Sequence, residues 1–217
     1  MKHLLTLVAA VLVALTSAAR QPSVYYDQRA SLFEVLPVDS TDIVMVGNSL
    51  TDGCEWNELF GMPNVKNRGI ISDVIEGVAD RIDPVLDGHP AKIFLLIGVN
   101  DISHKLTADS LATAMSALVD HIIARSPSTR LYIEACLPVN NDFKRYKNLI
   151  GTEQVLLDYN KALRRIADER HLTFIDTFPT FADAAGKLDP EVTNDGLHLT
   201  GRGYLRWREL LLPYILE

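Results

Sequence analysis

Cysteine is scarce: Cys54 and Cys136 are the only two in 217 residues. Two thiols cannot make the disulfide framework that staples small secreted domains, so a hydrophobic core has to hold the fold. Cys136 lies in the apolar run LYIEACL, and Cys54 follows Gly53 at the expected start of a helix; both read as free thiols. Positive charge is also short. Lys and Arg number 21 against 28 Asp and Glu, a net charge of −7 with no basic patch, which argues against nucleic acid as a partner. No internal repeat, low-complexity tract or linker marks a second domain.

What is present fits one globular unit. Apolar residues make up 47% and charged residues 23%, enough for a full core. The N-terminus stands apart. Lys2 and His3 precede an apolar run, Leu4 to Leu15, and then the small residues Thr16-Ser17-Ala18-Ala19. That order is the signature of a secretory signal. The run is shorter than the roughly 20 apolar residues a spanning helix needs, so an uncleaved anchor is the weaker reading. No cysteine follows it to carry a lipid. Residues 1–19 are therefore expected to be a signal peptide and 20–217 a single domain, periplasmic or secreted, with no stable membrane insertion after cleavage.

Strands and helices alternate along the rest of the chain. DIVMVG (42–47), NVKNRGI (64–70), AKIFLLIG (91–98), TRLYIEACLP (129–138) and LTFIDTF (172–178) read as five strands. Helical spacing is expected at 52–60, through Ile75, Val78, Ile82 and Leu86, through Leu111, Met115, Leu118 and Ile122, at 154–170 and at 204–215. Near-continuous apolar strands alternating with amphipathic helices predict an α/β fold, a parallel sheet covered on both faces. The arrangement is a three-layer α/β/α sandwich with a five-stranded parallel sheet. Ligands in such sheets sit at the carboxyl ends of the strands.

Polar residues gather at those ends. GNSLTDG follows the first strand and sets Ser49 before a helix N-terminus, where free backbone N–H groups can stabilise a developing oxyanion. As plain loop and cap residues, Ser49, Thr51 and Asp52 would also be unremarkable. RGIISD follows the second strand, with Asp73 as a candidate helix cap, and GVND follows the third, with Asn100 a possible donor and Asp101 a brace. Each is also an ordinary turn. Near the end, TNDGLHLTGRGY holds Asp195 and His198 three residues apart. An imidazole can activate a serine, and a carboxylate can orient the imidazole. A metal reading of Asp195 and His198 lacks further ligands, since His104, His121 and His171 fall in unrelated segments.

Taken in order, GNSLTDG, NRGIISD, IGVND and DGLHLTGRGY resemble the four sequence blocks of the SGNH hydrolases, the GDSL esterases and lipases. The resemblance is nearest to the platelet-activating-factor acetylhydrolase-like branch and covers nearly all of the expected mature chain. It implies a flavodoxin-like SGNH fold and a serine esterase without metal or other cofactor. Ser49 would be the nucleophile, His198 the base and Asp195 the third member of the triad. The oxyanion hole would comprise the N–H groups of Ser49 and Ser72 and the side chain of Asn100. Two positions depart from the pattern. Asn48 replaces the usual Asp, with nearly the same shape. Ser72 stands where a glycine usually donates, and a serine keeps the N–H but resists positive φ.

The resemblance and the expected export together imply hydrolysis of small acyl esters. An acetyl group on a carbohydrate is the first expectation, the partner being a small-molecule or glycan ester substrate. A lysophospholipid or other lipid ester is the alternative, and a weakly catalytic carbohydrate-binding protein on the same fold is a third.

Overall fold

The computed structural model describes residues 23–217; the expected signal, residues 1–19, lies outside them. Five parallel strands form one sheet: β1 (Ile43–Gly47), β2 (Val65–Gly69), β3 (Lys92–Leu96), β4 (Arg130–Glu134) and β5 (Thr173–Ile175). Their order is β2-β1-β3-β4-β5. The chain first moves outward from β1 to β2 and then crosses back to β3. The carboxyl ends of β1 and β3 therefore flank the point where winding reverses, the usual ligand position in such a sheet.

Helix α1 (Val24–Val35) precedes the sheet, and α2 (Ser49–Asp52) and α3 (Trp56–Phe60) link β1 to β2. The β2–β3 crossover holds α4 (Ile75–Arg81) and α5 (Asp83–Leu86). After β3 come α6 (Val99–Ser103) and α7 (Ala108–Arg125); after β4, α8 (Glu153–Glu169); after β5, α9 (Phe178–Phe181) and α10 (Gly201–Leu216).

Alternation along each strand divides the core. Val44, Val46, Ile93 and Leu95 face one way, against α4, α5, α7 and α8. Ile43, Met45, Phe94 and Leu96 face the other, against α3 and α10. The apolar stripe expected on α7, Leu111-Met115-Leu118-Ile122, is buried along its whole length. The three layers are those the sequence predicts. On the second face Trp56 meets Trp207 edge-on, ring centroids 5.1 Å apart, and both indoles are fully buried. Each large side chain so buried contributes roughly 1.5–3 kcal/mol.

Three local expectations need correction. The helix expected over 52–60 is two short helices, parted at Gly53, Cys54 and Glu55; the indole of Trp56 donates to the Thr51 carbonyl at 2.8 Å and ties α3 back beneath α2. The helical stretch from Ile75 to Leu86 breaks at Ile82, because Pro84 in the next turn has no N–H to continue the ladder. Asp73 does not cap the following helix in the expected way: Val74 is the N-cap, and the Asp73 carboxylate pairs with Arg81 at 2.8 Å instead. Both thiols are buried and free.

Candidate active site

Ser49 is the first residue of α2, and Asn48 caps that helix by accepting the Leu50 N–H at 3.0 Å. The sheet end is built to bring this turn close. Gly69 lies opposite Gly47 in the register, and a Cβ on Gly69 would stand 2.1 Å from the Asp52 nitrogen. No side chain fits there, so α2 can sit directly on the end of β2. Among the described residues, the Ser49 N–H has no intrachain acceptor and is free to serve the cavity.

His198 arrives from the loop before α10. Its Nε2 is 2.9 Å from the Ser49 Oγ, and its Nδ1 is 2.8 Å from the Asp195 Oδ2. The three-residue spacing has a local cause. Asp195 Oδ1 accepts the N–H groups of Leu197 (2.9 Å) and His198 (2.8 Å), closing a tight turn that turns Oδ2 toward the imidazole. Gly196, at φ +86°, packs so close to the Asn140 carbonyl that a Cβ would stand 2.2 Å from it. Thr193 braces the same turn by accepting the Gly196 N–H at 3.0 Å. Burial alone would raise the Asp195 pKa, but the hydrogen bonds from His198, Leu197 and Tyr146 outweigh it and hold it at about 2.

Ser72 and Asn100 occupy the ends of β2 and β3. Asp73 N–H donates to the Ile70 carbonyl at 3.2 Å, closing a turn with Ser72 at its third position. Ser72 has φ +63°, the left-handed conformation that glycine usually supplies at that place. The serine therefore accepts the very backbone geometry it was expected to resist. The turn is held from behind by the buried Asp73–Arg81 pair, and Arg81 also donates to the Gly47 carbonyl at 3.1 Å. Asn100 Nδ2 donates to the Asp73 carbonyl at 2.9 Å, which fixes the amide's orientation and leaves its second N–H. Asp101 braces the loop as expected, accepting the Ile75 N–H at 3.3 Å. Its burial, with Asp73 and Glu76 adding to the effect, pushes its carboxyl up to about 7.

Ser49, Ser72, Asn100 and His198 line one cavity of about 440 Å³. A hydroxyl at an imidazole, an imidazole at a carboxylate, and residues with N–H donors lining the same cavity can support nucleophilic acyl transfer. Among the described residues, no cluster of three or more His, Cys, Asp or Glu side chains is placed to hold a metal ion.

The model of the GDSL-like lipase/acylhydrolase family matches residues 45–206, most of the chain and every residue of this site. The chain belongs to that family. It is a carboxylic ester hydrolase of the SGNH type. Human platelet-activating factor acetylhydrolase IB subunit alpha1 is 29% identical over 185 residues, 80% of this chain and 77% of that protein. A solved structure from Streptococcus pneumoniae superposes with a TM-score of 0.81 at 27% identity, covering 88% of this chain and 92% of its own. An acetylxylan esterase from Geobacillus stearothermophilus shares the fold, with a TM-score of 0.66 at 16% identity, 82% of this chain and 95% of its own.

One residue of this candidate site has no signal in the sequence. The Tyr146 hydroxyl lies 2.7 Å from the Asp195 Oδ2 and 2.9 Å from the His198 Nδ1. It comes from the long β4–α8 connection, between short 3-10 turns at Asn141–Phe143 and Lys147–Leu149. Nothing in FKRYKN marks a tyrosine bound for a carboxylate 49 residues later in the chain. Its hydrogen-bonding is visible only once the connection folds over the cavity.

Proposed function

We propose that the enzyme hydrolyses small acyl esters, acetyl esters of carbohydrates first among them, through an acyl-enzyme on Ser49. The observation that carries this is the relay from Ser49 Oγ to His198 at 2.9 Å and from His198 to Asp195 at 2.8 Å. Ser49 attacks the ester carbonyl while His198 Nε2 takes its proton. Asp195 stabilises the imidazolium so formed and keeps Nε2 facing the serine. The carbonyl oxygen, now negative, is met by the N–H groups of Ser49 and Ser72 and by the Asn100 amide. His198 then protonates the leaving alcohol, and a water activated by the same imidazole releases the acid.

The mixed polar and apolar lining of the cavity is compatible with a sugar alcohol as leaving group. Ser103, Asn148, Arg145 and Lys147 share its wall with Ile71, Leu149 and Leu197. A volume of about 440 Å³ suits a sugar-sized alcohol. The fold shared with the acetylxylan esterase agrees with this reading, as does the expected export signal, which would take the enzyme to the periplasm or the exterior. A lipid ester is the second reading, favoured by the acetylhydrolase relatives and by Ile71, which lines the cavity yet is 48% exposed.

A hydrolysis panel tests the proposal. Acetylated xylo-oligosaccharides are compared with p-nitrophenyl esters of increasing chain length. Acetyl release from the sugar is expected, with kcat/KM on the p-nitrophenyl esters falling as the acyl chain lengthens. A preference for long-chain esters with no acetyl release from sugars would replace the carbohydrate reading with the lipid one.

A further inference from the structure

We propose that the substrate carries an anionic group, a carboxylate or a phosphate, which Arg145 and Lys147 recognise in the cavity that holds Ser49. The inference deepens the esterase reading above and rests on it for the position of the ester.

The protein carries a formal net charge of −7, so carboxylates are plentiful as partners for its cations. Many cations elsewhere are engaged, although Arg202 is also exposed with no side-chain partner among the described residues. Arg29, Arg81, Arg125, Arg164, Arg170 and Arg206 each meet a carboxylate. Arg145 and Lys147 do not: among the described residues neither side chain has an ion-pair or hydrogen-bond partner, and both are exposed. Lys144, next in the same loop, is exposed and equally unpaired.

The acids nearest in sequence are turned away. Asp142 is taken by Lys187 at 2.7 Å, and Glu153 accepts the Asn141 amide at 2.6 Å. Lys105 adds a further positive charge beside the loop, where its ammonium donates to the Asn148 carbonyl rather than to a carboxylate. No Asp or Glu lines the cavity at all. Unpaired surface cations are common, but these two stand in the wall of the cavity that Ser49 and His198 also line.

Range settles what this can do. The protein's overall negative charge would repel an anion at a distance, but screening over about 10 Å at ordinary ionic strength leaves local charges in control. A guanidinium can grip a carboxylate or phosphate with two parallel N–H bonds, and an ammonium can close the other side. Tyr146, between the two cations in the chain, reaches Asp195 at 2.7 Å, so the loop that presents them is anchored to the proposed catalytic groups.

Titration calorimetry on Ser49→Ala protein separates recognition from turnover. The probes are an acetylated methyl glucuronoside, the acetylated methyl glucoside that lacks its carboxylate, and acetylglycerol phosphate. At least one anionic probe should bind about tenfold or more tightly than the neutral sugar at low salt, with the advantage shrinking as salt is raised. Combining Arg145→Gln with Lys147→Gln should erase the advantage. The stronger of the two anionic probes then tells an acidic sugar from a phosphate ester. Equal binding of neutral and anionic probes overturns the proposal, as does an advantage that survives both substitutions. If anions bind as expected but wild-type protein hydrolyses no ester, the esterase reading fails and the recognition stands.

Discussion

The Tyr146 hydroxyl donates to Oδ2 of Asp195 at 2.7 Å, the same oxygen that faces Nδ1 of His198 at 2.8 Å. Its oxygen lies 2.9 Å from Nδ1, so one lone pair can share the imidazole proton while the phenol proton goes to the carboxylate. Burial, the bond to Asp195 and its charge push the phenol up to about 12, against a smaller opposing effect of Arg145. Tyr146 therefore stays a donor at any working pH. The ring meets the imidazole edge-on, with centroids 5.6 Å apart, and limits its swing.

Tyr146→Phe keeps the ring and removes the bond. A hydrogen bond to a charged group is worth about 1.5–3 kcal/mol, so a fall in kcat of roughly 10- to 100-fold is expected with KM for p-nitrophenyl acetate little changed. Steady-state kinetics on the purified variant check it. An unaltered kcat would mean that Asp195 needs no help from the phenol.

Ser72 holds φ +63° without being glycine, a conformation that costs a side chain about 1–2 kcal/mol. Ser72→Gly removes that cost while adding freedom to the unfolded chain. A gain of up to about 1 kcal/mol, or roughly 2–4 °C in Tm, is expected with kcat retained. Thermal unfolding beside kinetics decides it; a large loss of kcat in a folded variant would mean that the serine side chain itself takes part. Ser72→Pro should be far worse, since proline fixes φ near −65° and deletes the N–H.

Glu134, at the end of β4, is fully buried and accepts the Trp207 indole N–H at 2.7 Å. Burial pushes its carboxyl up to about 8, with the indole opposing. The folded state thus holds a proton that the unfolded state has already lost. The stability this gives is complete below the unfolded pKa, near 4.5, and is lost as pH rises through about 8. Glu134→Gln keeps an acceptor for Trp207 without the titration. Relative to wild type it should gain stability as pH rises between those limits, by up to about 5 kcal/mol, as read from urea midpoints at several pH values. A difference that does not change with pH would contradict the buried, protonated carboxyl.

Arg81→Leu would leave Asp73 buried without its ion pair. Breaking one side of such a pair costs about 3–5 kcal/mol. The turn carrying Ser72 and the Asp73 carbonyl that orients Asn100 should loosen with it, so kcat should fall alongside Tm. Retained Tm and activity would mean that other contacts hold the turn.

Most of the sheet was legible because the first, third and fourth strands are short apolar runs ended by Gly47, Gly98 or Pro138. The first and third ends pointed to Ser49 and Asn100. Strand β2, with the polar run Lys66-Asn67-Arg68, was the weaker signal, and Ser72 came from the family resemblance. Asp195 and His198 were legible because one local turn sets their spacing. What stayed hidden depends on long-range meetings. Helix α1 offers only Tyr26 and Phe33 to the core, too few to show a helical period, and Phe33 is held instead against Arg29, Arg68 and Arg81. The Asp73–Arg81 pair spans a turn and a helix, and a simple cap was the nearer guess. Tyr146 sits in a polar connection whose partner lies 49 residues away.

The central claim is that Ser49, activated by His198, attacks the ester. Turnover of p-nitrophenyl acetate by wild type, Ser49→Ala and His198→Ala, each checked for fold by circular dichroism, tests it most directly. Each substitution should lower kcat by at least about 10³-fold. A folded Ser49→Ala enzyme with near wild-type turnover would contradict it.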